Sequence, residues 1–193
     1  MIALCIGVLP GCGISIRMKT LGYAVSAADL AQYQRDGYFI ARGLFTMEEV
    51  AEIREKFDGI AAGNAIEGYW APKLDATDPL DRYPRVMQPH RFDGLSKRYL
   101  LDQRVHAVLA ALLGEEPVAA QTMFYFKPPG AKGQALHQDN FYLQVKPATC
   151  MAAWTAIDEC TTENGCLYVV PGTHTEDIVC PETADANESF TTH

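Results

Sequence analysis

Two periodicities divide the chain, a helical one up to about residue 113 and an extended one from about Val118 onward. Ser26 with Asp29 three residues later predicts a capped helix through about Arg35, after which Gly37 releases the chain into the strand-like Tyr38-Phe39-Ile40. Thr46 and Glu49 form a second capping box. Behind it Val50, Ile53, Phe57 and Ile60 recur at helical spacing, with Glu48, Glu52, Arg54 and Glu55 on the wet side. A third helical region lies within Leu95 to Leu113, where Val105, Val108, Leu109, Leu112 and Leu113 make one apolar face and Gly114 is placed to end it. His106 stands beside that face and reads as a structural or surface histidine.

The extended half consists of short runs separated by turn signals. The runs are Thr122 to Lys127, a segment around His137, Cys150 to Ile157 and Cys166 to Val170; Pro128-Pro129-Gly130, Lys146-Pro147, Asn164-Gly165 and Pro171-Gly172 punctuate them. Asn164-Gly165 is a hairpin signal because both residues tolerate positive φ. Helices first and antiparallel strands afterward predict an α+β, mainly β fold: a jelly roll of the cupin type with the N-terminal helices packed on one sheet. Between the helices, Gly63 to His90 is rich in Asp, Pro and Gly and carries Tyr69, Trp70, Arg82, Tyr83 and Arg85. It reads either as a lid whose aromatic and basic residues grip a substrate, or as an ordinary surface excursion with aromatics tucked beneath it.

Composition narrows the class. At 193 residues, 48% hydrophobic and 21% charged, the chain suits one globular domain. A formal net charge of -8 and the lack of a Lys/Arg cluster argue against a nucleic-acid binder. The six cysteines show no C-x-x-C and no regular spacing, which suits reduced thiols in a cytoplasmic protein. Met1 to Ile16 is apolar, with a lipoprotein-like Leu9-Pro10-Gly11-Cys12. It has no basic residue before its apolar run, is interrupted by Pro10, and is too short to span a bilayer. Translation is therefore expected to begin at Met18, leaving 1–17 as a non-structural extension and 18–193 as the domain.

The candidate chemistry sits in Leu136-His137-Gln138-Asp139-Asn140-Phe141-Tyr142. In a strand, the imidazole of His137 and the carboxylate of Asp139 project together while Gln138 turns away. An imidazole and a carboxylate at this spacing supply two of the three protein ligands in the facial triad of non-haem Fe(II) oxygenases.

Met123-Phe124-Tyr125-Phe126-Lys127-Pro128-Pro129, His137-Gln138-Asp139, Ala153-Trp154-Thr155-Ala156 and the run Asn164 to His174, with an early Asp36-Gly37-Tyr38, follow one another at spacings that resemble the phytanoyl-CoA dioxygenase family from about Leu30 to His174. The resemblance implies a double-stranded β-helix and a reaction of Fe(II), 2-oxoglutarate and O2 that hydroxylates an unactivated C–H bond and releases succinate. It implies that His137 and Asp139 hold the iron and that Met123, Trp154 and Gln121 line the cosubstrate pocket. An intact carboxylate at Asp139 favours hydroxylation, since halogenating relatives lose it. Substrates of the family include acyl-CoA thioesters, small amino-acid-like solutes and natural-product intermediates.

The resemblance also implies a third iron ligand, a histidine on a late strand, and an arginine soon after it that pairs with the distal carboxylate of 2-oxoglutarate. Neither motif follows His174, and no arginine follows Arg104. His174 lies in a motif that the family has in addition to its distal ligand, which implies a supporting role, and His193 is terminal. A jelly roll needs about eight strands to close, and roughly five or six are readable here. The expectation is a jelly roll with its late strands missing, truncated at the C-terminus, poorly stable and weakly active or inactive. Two alternatives stand beside the dioxygenase: a catalytically inactive cupin-like module that binds a small molecule, and metal-independent binding in the same pocket.

Overall fold

Both N-terminal capping boxes close. Ser26 Oγ accepts from the Asp29 amide and Asp29 reaches back to the Ser26 amide, opening α1 (Ala27–Asp36); Thr46 and Glu49 do the same for α2 (Met47–Ala62). The computed structural model describes residues 2–8, 23–63, 65–71, 73, 75, 77, 82, 83, 85–146, 149–179 and 182–191. Gly37 ends α1 at φ +77, and Tyr38-Phe39-Ile40, expected as a strand, carries no ladder.

The third helical region is two helices, α3 (Gly94–Leu100) and α4 (Gln103–Leu113). The break has a local cause. Asp93 caps α3 by accepting from the Ser96 amide, and Asp102 caps α4 by accepting from the Arg104 amide, so each acidic residue starts a new helix. Gly114 closes α4 in the left-handed region at φ +71.

Among the described residues the strands are β1 (Ile2–Val8), β2 (Val86–Met87), β3 (Pro117–Phe124) and β4 (Met151–Thr155), in one antiparallel sheet of order β2-β3-β1-β4. Ile2–Val8, which the sequence reading sets in a non-structural extension, pairs with β3 on one side and β4 on the other. An apolar run without proline can satisfy the backbone groups of both neighbours at once. A bulge falls between Cys5 and Ile6, where β3 skips from Gln121 to Ala119.

A mixed helix-and-sheet arrangement is what the structure shows, with a small open sheet; the expected jelly roll, even one lacking its late strands, is not seen among the described residues. Two expected strands account for the difference. The His137 segment leads into the one-turn helix α5 (Asp139–Leu143), and Cys166 to Val170 makes no ladder, leaving Leu167, Tyr168, Val169 and Val170 exposed. Asn164-Gly165 does turn, with Gly165 at φ +85, but it joins no paired strands.

The core forms between one face of the sheet and the helices. Thr122 and Phe124 of β3 and Val86 of β2 are buried against Ile53 and Phe57 of α2, Tyr99 and Leu100 of α3, and Val105 and Leu109 of α4. Phe57 and Phe124 stack with ring centroids 3.7 Å apart. Each such large side chain contributes about 1.5–3 kcal/mol on burial. Arg54 fastens α2 to the end of β4, donating to the Ile157 carbonyl (2.6 Å) and pairing with Asp158 (2.9 Å).

Two distant sequence motifs meet at the end of α1. The Gly172 amide donates to the Asp36 carbonyl (2.9 Å), and the His174 ring lies directly on Gly37, where a Cβ would stand 2.4 Å from its Nδ1. Gly37 is thus required both by its positive φ and by this approach.

Candidate functional site

His137 and Asp139 lie at the entry to α5. The backbone of Gln138 is extended (φ -103, ψ 122), so its neighbours project to one side and its own amide to the other even though no ladder forms. His137 Nε2 and Asp139 Oδ1 are 3.0 Å apart. The Gln138 side chain instead crosses to a distant segment, donating to the Asp177 carbonyl (3.3 Å) and accepting from the Val179 amide (2.9 Å).

The hydrogen bonds of His137 define its chemistry. Nδ1 sits 2.8 Å from the Ala135 carbonyl, which can only accept, so Nδ1 carries the proton and the second nitrogen presents a lone pair when the ring is neutral. The hydrogen bond to Asp139 raises the His137 pKa above its ordinary value; burial opposes this, and the Ala135 carbonyl supports it. Nε2 and Oδ1 are therefore two acceptors facing each other, a pair that needs a proton or a cation between them. Neighbouring ligands on an octahedral ion with bonds of about 2.1 Å lie about 3.0 Å apart, which matches the pair. Donor type and orientation fit a divalent metal, with the ring held by a backbone carbonyl behind it. Gln134 adds an amide nitrogen 3.3 Å from the same Nε2. Among the described residues no three His, Cys, Asp or Glu side chains converge to complete a metal centre.

The residues expected to line a cosubstrate pocket lie on the sheet. Met123 and Trp154 are both registered against Ala3 of β1, and Met87 against Met123, so Met87, Met123 and Trp154 share one rung and one face. Gln121 lies two residues along β3 on that same face, opposite to Thr122 and Phe124, which enter the core. Trp154 Nε1 is buried without a hydrogen-bond partner among the described residues, a donor that a ligand could satisfy. Tyr125 donates to Met123 Sδ at 3.1 Å, fixing the thioether from the strand's end.

The other histidines are accounted for elsewhere. His174 packs on Gly37 and Tyr33, with ring centroids 6.0 Å apart in the latter pair. His106 pairs with Glu116 (2.8 Å), and His193 lies outside the described residues. The Leu9 to Cys12 motif and Met18 also lie outside them. From the Gly63–His90 loop, Trp70 is buried in the core, Tyr69 packs on Phe92, and Tyr83 packs on Phe126. Arg85 lies over Phe190, 4.5 Å from its ring centroid. His90 Nδ1 is 2.6 Å from the buried Thr122 hydroxyl; burial, then Arg91 and Lys97, lower its pKa.

Sequence reasoning passed over the groups that hold the pair. Ser189 Oγ accepts from the Ala135 amide (3.1 Å), while Gly133 donates to the Glu188 carbonyl and accepts from the Phe190 amide, each at 2.9 Å. Ser189 is buried, but no local periodicity marks it.

A mixed helix-and-sheet domain with an imidazole and a carboxylate converging beside a one-turn helix defines a candidate metal-dependent class. The phytanoyl-CoA dioxygenase (PhyH) family profile matches residues 33–191, and the chain belongs to that family. It is 35% identical over 86 residues to phytanoyl-CoA dioxygenase 1 of Oryza sativa subsp. japonica, covering 44% of this chain and 31% of the relative. To the phytanoyl-CoA dioxygenase of Arabidopsis thaliana it is 34% identical over 91 residues, covering 47% and 32%. A phytanoyl-CoA dioxygenase domain-containing protein 1 homolog of Dictyostelium discoideum is 26% identical over 193 residues, covering 82% and 68%. The matches span about a third of the rice and Arabidopsis relatives' length. No solved structure matches. The relatives it matches are named as phytanoyl-CoA dioxygenases or as proteins with a phytanoyl-CoA dioxygenase domain. Among the described residues, no helix is long and apolar enough to cross a membrane.

Proposed function

We propose that the protein is an Fe(II)- and 2-oxoglutarate-dependent dioxygenase that hydroxylates an unactivated C–H bond of a small organic substrate. The observation that carries this reading is the 3.0 Å approach of His137 Nε2 and Asp139 Oδ1, with the imidazole oriented by the Ala135 carbonyl. His137 contributes a neutral nitrogen lone pair and Asp139 a negative oxygen, a mixed donor set suited to Fe(II). Bound there, Fe(II) with 2-oxoglutarate would supply the oxidising power for hydroxylation, with succinate and CO2 as the other products. Met123 and Trp154 present apolar surface that excludes water from the cosubstrate, and the buried Trp154 N–H offers it a donor. Gln121 offers a polar contact one step along the same face. We place the protein in the cytoplasm, where Cys160 and Cys166, free thiols in the structure, stay reduced.

The test is succinate release by the chain supplied with Fe(II), 2-oxoglutarate and O2. Turnover abolished in His137→Ala and in Asp139→Ala supports the assignment, and turnover unchanged in either variant overturns it. One observation favours a second reading, a catalytically inactive small-molecule binding module: no third ligand side chain joins the pair among the described residues. Ligand binding that persists with a chelator present, without succinate formation, selects that reading.

A further inference from the structure

We propose that Gln138 is a positioning residue that ties the His137–Asp139 pair to the segment Asp177–Val179, so that docking of this segment sets the geometry of the pair. The inference rests on the metal-binding part of the proposed function and goes beyond it, since it assigns a role to the residue between the two ligands.

The geometry of Gln138 carries the argument. It occupies the N-cap position of α5, yet its side chain makes no capping bond. Both ends of its amide are spent instead on main chain about forty residues away, the nitrogen on the Asp177 carbonyl and the oxygen on the Val179 amide. A side-chain amide used this way stands in for a backbone peptide and pairs the loop with the segment as a neighbouring strand would. Ile178 is 47% exposed and Val179 63% exposed, so apolar burial anchors this segment only weakly and the amide clamp is its attachment at this point.

The flanking ligands follow from the clamp. His137 and Asp139 are bonded directly to Gln138, and its extended backbone is what puts their side chains on a common side. Rotation about that residue would separate Nε2 from Oδ1. A second tether from the same end of the chain acts on the other flank: the Ser189 hydroxyl holds the Ala135 amide, and the Ala135 carbonyl orients the His137 ring. The pair is thereby held from both sides by Asp177, Val179 and Ser189, and Gln138 is the only side chain of the His137-Gln138-Asp139 triplet that reaches them among the described residues.

The experiment compares the full chain with Gln138→Met, which keeps length and bulk but loses both hydrogen bonds, and with Gln138→Glu, which keeps an acceptor for Val179. Mn(II) affinity is read from the electron paramagnetic resonance of free Mn(II), and hydrogen exchange is followed in the metal-free proteins. Gln138→Met is expected to weaken Mn(II) binding about tenfold and to speed exchange in 134–139 and 176–179 together, with exchange in α2 unchanged. Gln138→Glu is expected to fall between Met and the parent. Mn(II) affinity within twofold of the parent in Gln138→Met, or unchanged exchange in 134–139, overturns the proposal. Should the parent itself fail to bind Mn(II), the metal reading falls, and the clamp is then decided by the exchange data alone: coupled acceleration of the two segments upholds it, and its absence overturns it.

Discussion

Replacing Gly37 by alanine isolates the junction at which the end of α1 meets the turn before His174. Gly37 has φ +77 and ψ 5, and an L-residue in that left-handed conformation costs about 1–2 kcal/mol. The added Cβ would stand 2.4 Å from His174 Nδ1, 2.5 Å from its Cγ and 2.7 Å from its Cβ, so the ring must leave. Its departure puts at risk the Gly172 amide's hydrogen bond to the Asp36 carbonyl, about 0.5–1.5 kcal/mol net. It also puts at risk the contact with the Tyr33 ring, about 0.5–1 kcal/mol. The sum, about 2–4.5 kcal/mol, is a large part of the 5–15 kcal/mol typical of a folded domain. Urea unfolding followed by tryptophan fluorescence measures it, and the same substitution in a His174→Gly background, which removes the His174 Cβ along with the ring, separates the parts. There the clash is gone and only the backbone cost of about 1–2 kcal/mol should remain. An equal cost in both backgrounds, or a cost below about 1 kcal/mol in the parent, would refute the argument from close approach.

Arg104→Lys should lose about 2–3 kcal/mol in the same assay. The guanidinium fork bonds both oxygens of Glu49 (2.6 and 3.0 Å), both of Asp102 (2.8 and 3.0 Å) and the Leu44 carbonyl (3.1 Å), which an ammonium cannot reproduce. For His90, whose pKa burial lowers, the unfolded chain takes up the proton first. The stability it contributes is present above the unfolded pKa of about 6.5 and is lost as pH falls toward the folded value, so His90→Gln should reduce the loss of urea midpoint between pH 7 and pH 5. His137 has the opposite sign. Its raised pKa gives stability present below about 6.5 and lost as pH rises through the folded value, and His137→Gln should flatten that limb. Val169→Lys, placed in the exposed Leu167 to Val170 run, should lower concentration-dependent self-association in sedimentation velocity; an unchanged profile removes that run as an adhesive surface.

Signals that act over three or four residues were legible. The capping boxes at Ser26 and Thr46 and the left-handed stops at Gly37 and Gly114 stand where the sequence places them. Boundaries set by competing local bonds were not. Asp93 and Asp102 split one apolar stripe into two helices, because a carboxylate accepting an amide proton starts a helix whatever the stripe does. Strand pairing was hardest to read, since it depends on partners far along the chain. Cys166 to Val170 has strand composition but no ladder, while Ile2–Val8 finds two neighbours. At the site, alternation about Gln138 predicted which way His137 and Asp139 project, because that needs only one extended residue. The tethers from Asp177, Val179 and Ser189 had no local signature, being backbone groups or a lone hydroxyl some forty to fifty residues away.

The His137–Asp139 contact makes a further demand that can be tested without substrate. With Nδ1 donating to Ala135, a neutral ring turns a lone pair toward the carboxylate 3.0 Å away, and nothing in the pair supplies a hydrogen. Above the pKa of His137 the two groups therefore repel unless a cation joins them. Asp139→Asn replaces one acceptor by an amide that can donate to Nε2. At pH 8 without metal this variant should be at least as stable as the parent, the pattern expected where a binding site is held at a cost in stability. Saturating Mn(II) should reverse the order. A metal that binds only the folded chain stabilises it by about 2.7 kcal/mol at one hundred times its dissociation constant, and Asp139→Asn, having lost the anionic donor, should gain far less. Equal gains in the two proteins would place the metal elsewhere. A metal-free Asp139→Asn much less stable than the parent would show the pair to be a structural hydrogen bond carrying its own proton at pH 8.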